Sequence, residues 1–456
     1  MTQDLTQGKI WKKLLLFTLP LIATNLLQQL YNMVDLIFAG QFLGNNAAAA
    51  IGTSSRLILC IINFFSGIAV GSGVSISRYF GAKNLSMARK TMATALVLCL
   101  VAGIGFSALA YAVSKPYILL LHTPEALVKE ALDYLRIYSL SLISVLAYNM
   151  GAAILRAMGD SRRPLAAQII AGTANVFLDA LFTVVIPMGV AGIGLATLLS
   201  QGIAAAYVIY RVLKLDFVNY FRDGFPGIDI PILKEIIRIG LPSGTQAFLI
   251  TFSNVIAQYF INNLSITDIT AFTYQNKIDN LIYIPVMSLG QATMTFTAQN
   301  FGAGNPNRIR QGIKTAIWGG VAACLIIGFS LPAIGKQLMG IFTTDPETIQ
   351  SGISIMKWLF PPYFIYIFLQ VLGDALRGLG HAKGPMYIVI INMCLLRSVL
   401  FAIFVPLYSN LNTVCFIYPI TWATTSICMV LLYLRVNKNI DREIANHLSK
   451  ISAPEI

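Results

Sequence analysis

The chain has 456 residues, of which 56% are apolar and only 11% are charged. A soluble protein would carry roughly a quarter charged residues, so this composition excludes an ordinary soluble globular fold. The formal net charge of +13 points to nucleic acid only if the basic residues form a patch, and their positions argue against that.

Long apolar segments recur along the whole chain. A helix needs about 20 apolar residues to cross the hydrocarbon core of a membrane, whereas barrel strands show short alternating patterns. The sequence therefore predicts an all-α integral membrane protein with twelve spans. These lie near residues 13–39, 46–74, 88–113, 128–155, 164–187, 190–213, 235–261, 267–296, 311–334, 350–378, 384–406 and 411–435.

The first span follows a short basic start, MTQDLTQGKIWKK, and no small-residue cleavage site ends it, so we expect it to be retained. Most of the 32 Lys and Arg residues lie in the N-terminal segment and in every second connection. The positive-inside rule then places both termini in the cytoplasm. The basic excess orients the protein and does not indicate nucleic-acid binding. The six cysteines stand singly in apolar segments and are interpreted as packing residues.

Three motifs occur twice, 221 or 222 residues apart. The pairs are IWKKLLLFTLP with ILKEIIRIGLP, YFGAKNLSMAR with NFGAGNPNRIR, and LRAMGDSRRP with LRGLGHAKGP. Each half contains six spans, so the halves are predicted to be parallel repeats related by a pseudo-two-fold axis along the membrane normal. We expect an N-lobe at residues 1–213, a cytoplasmic linker at 214–231 and a C-lobe with a cytoplasmic tail at 232–456.

No Walker A motif, GxxxxGK[ST], is present to cradle a nucleotide phosphate. If the protein transports, an ion gradient is the expected energy source, and intramembrane acids become the candidates for coupling. Each costs about 2.5–3.5 kcal/mol at a span centre, so a functional role is the default. The acids within predicted spans are Asp35, Asp179, Asp279 and Asp374.

Two of these acids have a basic residue nearby in sequence. Asp279 follows Lys277, and Asp374 precedes Arg377, so ion pairing is the expectation for both. Asp35 and Asp179 have no basic residue within one helical turn. The exchangeable charge is therefore predicted in the N-terminal half.

Asn175 lies one helical turn before Asp179, and Thr197 lies in the next span. With Asp35 they form an oxygen cage suited to Na⁺, while repulsion between two close carboxylates equally favours binding of a proton. The alternative interpretation is that Asn175 and Thr197 only hydrogen-bond neighbouring helices.

These features together resemble the multidrug and toxic compound extrusion (MATE) family. The likeness rests on Leu-Pro in the first span followed by YNMVDLIFAG, the paired FGA-N loops and the paired LR-x-x-G loops. The resemblance implies a secondary active multidrug efflux transporter of a prokaryotic plasma or inner membrane. It implies cation/drug antiport by alternating access, with H⁺ or Na⁺ as coupling ion, no cofactor and no enzymatic activity.

In the branch that this chain resembles, the cation site maps onto Asp35, Asn175, Asp179 and Thr197, and a hinge proline of the first span maps onto Pro20. A proline inside a helix loses one backbone hydrogen bond, which favours bending there. The acidic C-lobe site of another branch is not matched, because the seventh span offers only Gln246, Asn254 and Gln258.

Cationic amphiphilic small molecules are the expected substrates, and we expect the protein to act as a monomer in the bilayer. Aromatic and methionine side chains would contact such compounds, although each is equally compatible with packing or lipid contact. The cleft candidates are Tyr31, Met33, Phe38, Phe64, Tyr148, Tyr274 and Met287.

Three other functions are alternatives to antiport for a membrane protein of this kind. A flippase for lipid-linked precursors shares this architecture, but it would need several cations in the cleft, and the candidates are only Arg56, Lys277 and Arg397. An intramembrane aspartyl protease would need a GxGD motif, and Asp374 lies in VLGD. Such a protease would also leave the internal repeat unexplained. A passive channel is the third alternative.

Overall fold

The computed structural model describes residues 4–120, 123–218, 224–408 and 410–452, and these contain helices and connecting turns without a strand. The helices are α1 (Ile10–Phe38), α2 (Asn45–Gly81), α3 (Leu85–Leu120), α4 (Glu125–Ala157), α5 (Arg162–Ala180), α6 (Val190–Leu213), α7 (Ile230–Ile261), α8 (Ile266–Gly302), α9 (Pro306–Ala333), α10 (Gly335–Gly340), α11 (Pro346–Leu359), α12 (Tyr363–Gly378), α13 (Lys383–Val389), α14 (Arg397–Leu407), α15 (Leu411–Asn437) and α16 (Ile440–Ser452).

Ten of the twelve predicted spans correspond to helical segments that are long and apolar enough to cross a membrane, within the described ranges. One of the ten is the pair α11–α12, which is bent by 53°. The bend lies at Pro361 and Pro362, where the chain cannot continue a regular helix. The other two spans, α7 and α8, have 32 and 37 residues, but their polar side chains make them less apolar.

Three spans contain π-helical turns. Ala39–Leu43 extends α1, Leu181–Val185 extends α5, and Ile390–Leu396 joins α13 to α14. The first begins four residues after Asp35 and the second two residues after Asp179. Such turns are frequent beside functional sites, and their positions here favour a functional role for Asp35 and Asp179.

The chain divides into two compact units. The first includes residues 19–244, and the second includes residues 5–18 and 245–456. The divisions fall within α1 and α7. The beginning of α1 belongs to the second unit and the beginning of α7 to the first, and the remainder of each helix belongs to the other unit. This arrangement gives the fold class that the sequence predicts, an all-α membrane protein of two lobes.

The first unit is closely packed where α2 meets α7. A Cβ atom added at Gly67 would lie 2.0 Å from the backbone nitrogen of Gly244, and one at Gly71 would lie 2.3 Å from the carbonyl oxygen of Ile236. Small residues of this kind let two helix backbones approach in a membrane protein. The contact fixes the first half of α7 on the first unit.

Side chains of the second unit hold the backbone of the N-terminal segment by hydrogen bonds. The Leu5 amide donates to Oε1 of Gln299 at 3.1 Å, and the Arg308 guanidinium donates to the carbonyls of Leu5 and Gly8. The C-terminal helix α16 packs on the same unit through Ile440 and Ile444, both buried. These contacts tie both ends of the described chain to one helical bundle.

Candidate cation site

Helix α1 carries Asp35 into the interior of the first unit. Tyr31, Asp35 and Ala39 follow one another at intervals of four residues and are all buried, whereas Met33 and Leu36 are exposed. Because residues four apart share one face of a helix, the buried stripe brings Asp35 onto the inner face of α1.

Helices α5 and α6 supply the other predicted ligands. Asn175 and Asp179 are 1% and 0% exposed and lie one turn apart on α5, and Phe177 between them is 72% exposed. Thr197 on α6 is also buried. Helix α5 therefore directs polar side chains into the bundle and apolar side chains outward. Buried polar residues of this kind in a membrane span indicate a functional site.

The four predicted residues come together. Thr197 Oγ1 donates to the carbonyl of Ile193 at 3.1 Å and lies 3.4 Å from Oδ2 of Asp35. The Asp35 side chain also interacts with the side chains of Asp179 and Asn175. Residues separated by up to 162 positions thus meet in one place inside the first unit.

The polar atoms of this cluster are poorly satisfied. Oδ1 of Asp35, both carboxylate oxygens of Asp179 and both amide atoms of Asn175 have no hydrogen-bond partner in the described part of the protein. Within those same ranges, no Lys, Arg or His nitrogen lies within 4.0 Å of either carboxylate. Buried polar groups without partners call for a specific explanation, and a bound cation supplies one.

The donor set fits a small hard cation. Two carboxylates, an amide oxygen and a hydroxyl are the oxygen ligands that such ions prefer, and the same carboxylates accept protons. Nothing in the described ranges forms a group of three or more His, Cys, Asp or Glu side chains able to hold a metal.

A second layer of polar side chains was missed by the sequence analysis. Gln201 Nε2 donates to the Tyr31 hydroxyl at 3.1 Å, and Tyr31 also interacts with Asp35 and Tyr138. Gln201 lies one turn after Thr197 on the same face of α6, and this spacing could have revealed it. The layer orients the inner face of α1 beside the carboxylates.

Pro20 lies inside α1, which is helical on both sides of it. The carbonyl of Pro20 accepts a hydrogen bond from Thr24 Oγ1 at 2.7 Å, and Pro20 itself has no amide to donate to the preceding turn. The hinge role remains a prediction, and the local weakness on which it depends is present.

The cleft candidates occupy different surroundings. Tyr31 and Tyr148 are buried in the first unit and Met33 is exposed, while Phe38 stacks on Phe42 with 5.4 Å between ring centroids. The three other candidates also keep their roles as predictions: Phe64 packs against Phe106, Tyr274 packs against Phe342, and Met287 is half-buried.

The acids of the second unit have protein partners. Asp374 forms an ion pair with Arg377, as the sequence predicts, and accepts a hydrogen bond from Gln370 at 2.6 Å. The expected pairing of Asp279 with Lys277 is wrong. Asp279 instead accepts from the Tyr363 hydroxyl, which lies 2.8 Å from both carboxylate oxygens.

Helix geometry explains this correction. Residues two apart on a helix point in nearly opposite directions, so Lys277 faces outward and is exposed while Asp279 faces the bundle. Of the other cations considered for a flippase, Arg397 is buried in the second unit, and the side chain of Arg56 lies outside the described residues.

Comparison with known proteins identifies the family. The MatE family profile matches twice, at residues 20–181 and 242–403, which also confirms the internal repeat. The probable multidrug resistance protein YpnP of Bacillus subtilis is 30% identical over 85% of this chain and 86% of its own. The probable multidrug resistance protein NorM of Thermotoga maritima is 26% identical over 84% of this chain and 83% of its own.

The fold agrees with solved structures. A crystal structure of a MATE protein in the straight conformation superposes with a TM-score of 0.87, covering 97% of this chain and all of that one at 23% identity. The profile, the relatives and the helical architecture lead to one assignment. The chain belongs to the MATE family and is a multi-span membrane transporter, not an enzyme.

Proposed function

We propose that this protein is a secondary active exporter that exchanges H⁺ or Na⁺ for cationic amphiphilic small molecules. The observation that carries the proposal is the pair of buried carboxylates, Asp35 and Asp179, which have no Lys, Arg or His nitrogen within 4.0 Å among the described residues. Asn175 and Thr197 complete the proposed ion site. A charge buried without a counter-ion is costly, so this cluster favours a state in which a cation is bound.

Antiport requires that the ion and the drug exclude one another. A cation at Asp35 and Asp179 neutralises the charge that would attract a cationic drug, and release of that cation restores it. Each ligand therefore lowers the affinity for the other, and the coupling is reciprocal. In the proposed cycle, ion uptake from outside accompanies drug release, and ion release to the cytoplasm permits drug binding.

Helix α1 is the proposed moving element. It bears both Asp35 and Pro20, and a proline interrupts the backbone hydrogen bonds that would otherwise stiffen it. Neutralising Asp35 would change how the inner face of α1 packs on α5 and α6, and bending at Pro20 would transmit the change. Pro20→Ala should therefore slow efflux severalfold while leaving the expression level unchanged.

The substrate class follows from the relatives and from the side chains. Two relatives are named as probable multidrug resistance proteins, and adaptable aromatic and methionine contacts suit varied organic cations. We further propose that the protein is a monomer in a prokaryotic plasma or inner membrane. Both termini are expected in the cytoplasm, because the basic residues cluster in alternate connections. A flippase would need several cations in its cleft. Of the candidates Arg56, Lys277 and Arg397, the structure describes the side chains of two, and of these Arg397 is buried while Lys277 is exposed.

The test measures uptake of a cationic dye into everted membrane vesicles. A proton gradient and a sodium gradient are imposed separately, and each is compared with vesicles that lack the protein. Dye uptake with at least one gradient supports the proposal and identifies the coupling ion. If neither gradient drives uptake by the wild type, or if Asp35→Asn vesicles take up dye normally, the proposal fails.

A further inference from the structure

The second unit contains a polar cavity that the proposed ion exchange does not use. It has a volume of about 370 Å³ and lies among α7, α8, α11, α12, α14 and α15, with one wall residue in the π-helical turn before α14. That volume falls within the range of small-molecule sites. The wall residues that matter here are Gln275, Asp279, Tyr363, Tyr366, Arg397 and Trp422.

The wall carries one side chain of each charge. Among the described residues, Asp279 accepts only from the Tyr363 hydroxyl, and Arg397 donates from Nε and Nη2 to Thr421 Oγ1 at 3.3 and 3.2 Å. The Arg397 guanidinium also lies 4.8 Å from the centroid of the Tyr418 ring. Among the described side chains, no ion pair within 4.0 Å joins Asp279 to Arg397.

Both charges keep unused hydrogen-bonding capacity. A carboxylate accepts about four hydrogen bonds and a guanidinium donates five, whereas in the described part of the protein each has one hydrogen-bonding partner, a neutral hydroxyl. Arg397 is 3% exposed, so bulk solvent does not meet this need. Gln275 lines the same cavity, is 0% exposed, and has no partner for either amide atom in the part of the chain described.

Aromatic rings form the rest of the wall. The Trp422 ring lies 4.9 Å from Tyr363 and 5.3 Å from Tyr366, measured between centroids. Tyr366 lines the same cavity as Asp279 and Arg397. A ligand with an aromatic body would pack on these rings, and an ammonium group would be attracted to their faces.

We propose that this cavity is a second ligand site and that it binds aromatic zwitterions. The ammonium group of the ligand pairs with Asp279, its carboxylate pairs with Arg397, and its ring packs against Trp422. An organic cation without a carboxylate pairs with Asp279, but it leaves Arg397 unpaired and is repelled by the positive charge of Arg397. The site thus selects compounds that carry a carboxylate, a class different from the cations of the proposed antiport.

Binding can be followed through Trp422 in the purified full chain. Trp422 is buried on the cavity wall, whereas the other three tryptophans, Trp11, Trp318 and Trp358, are exposed. A nitroaromatic ligand in the cavity would quench Trp422 fluorescence. The probe is N,N,N-trimethyl-4-nitrophenylalanine, whose ammonium charge is permanent, and the comparison compound is its methyl ester, which lacks only the carboxylate.

Wild-type protein should bind the zwitterion at least tenfold more tightly than the ester. Arg397→Gln should reduce this ratio to below twofold while binding the ester at least as well as before, which shows that the variant is folded. Arg397→Lys should retain an intermediate ratio. The matched control is Arg435→Gln, an exposed arginine on α15 outside the cavity, and it should keep the wild-type ratio.

A reciprocal variant tests the other charge. Asp279→Asn should lose the preference for the zwitterion over 3-(4-nitrophenyl)propanoate, which lacks the ammonium group, and Trp422→Phe should abolish the quenching. Equal wild-type affinity for zwitterion and ester, an unchanged ratio in Arg397→Gln, or quenching that persists in Trp422→Phe would each overturn the proposal. The assay needs no ion gradient, so its result is separate from the success or failure of the antiport measurements.

Discussion

The two units are built on one repeat, yet they treat buried acids in opposite ways. In the first unit, Asp35 and Asp179 lie close together with most of their oxygens unpartnered in the described structure. In the second, Asp374 is bonded to Arg377 and Gln370, and Asp279 is bonded to Tyr363. The unpaired acids are available to an exchangeable ion, and the paired acids already have partners in the protein.

This difference separates transport from stability. An acid in an ion pair with a basic side chain, such as Asp374 with Arg377, gains little from a mobile ion, because binding the ion would first have to break that pair. An acid that lacks a partner destabilises its unit until an ion arrives, and that dependence is what links ion binding to a change of conformation. Substitutions in the two units should therefore fail in different ways.

The largest expected effect is loss of ion-driven efflux in the first unit. Asp35→Asn and Asp179→Asn should each reduce it to the background of empty vesicles, because an amide cannot exchange a proton or offer a negative charge to Na⁺. Their thermal stability should match or exceed that of the wild type, since each change removes an unpaired buried charge. Dye uptake and a detergent melting curve measure both quantities.

The exposed Asp133 provides the control for this prediction, because Asp133→Asn removes a carboxylate outside the site. Full efflux in Asp35→Asn would remove the distinction between the two units.

The next effect is on stability in the second unit. Asp374→Asn should lower the free energy of unfolding by about 1–3 kcal/mol, because it leaves the largely buried Arg377 without its carboxylate. The double variant Asp374→Asn with Arg377→Gln should recover part of that loss. Melting curves of the two variants test this, and no recovery in the double variant would argue that the pair is not the source of stability.

A smaller contrast comes from space around the acids. A Cβ atom at Gly290 would lie 2.2 Å from Oδ2 of Asp374, whereas one at Gly172 on α5 would lie 4.0 Å from its nearest neighbour, Tyr31. Gly290→Ala should therefore cost about 1–3 kcal/mol of stability, and Gly172→Ala should cost nothing measurable. Equal melting temperatures for the two variants would contradict the tighter packing in the second unit.

The smallest expected effect is at Thr197. Its hydroxyl lies 3.4 Å from Asp35, which is a weak contact, and it also donates to a helix carbonyl. Thr197→Ala should reduce sodium-driven efflux by a fewfold factor and proton-driven efflux less, because a proton needs no oxygen cage. Thr197→Ser keeps the hydroxyl and should behave as the wild type. A complete loss in Thr197→Ala would give this residue a larger role than the geometry supports.

Local sequence determined much of this protein. Apolar segment length predicted the spans, the motif pairs predicted the two halves, and the absence of nearby basic residues singled out Asp35 and Asp179. The four-residue spacing of Asn175 and Asp179 by itself places both on one face of α5. These properties depend on residues within a turn or a segment of one another, so the sequence contains them directly.

Tertiary structure decided which side chains meet across helices. Tyr363 reaches Asp279 across 84 positions, and Gln201 reaches Tyr31 across 170, so neither contact follows from local spacing. The sequence analysis chose Lys277 as the partner of Asp279 because it was near in the chain, and the helical rotation between them directs it away. The spacing of two residues in sequence determines which face of a helix each side chain lies on. Only the packing of the helices determines which of those faces meet.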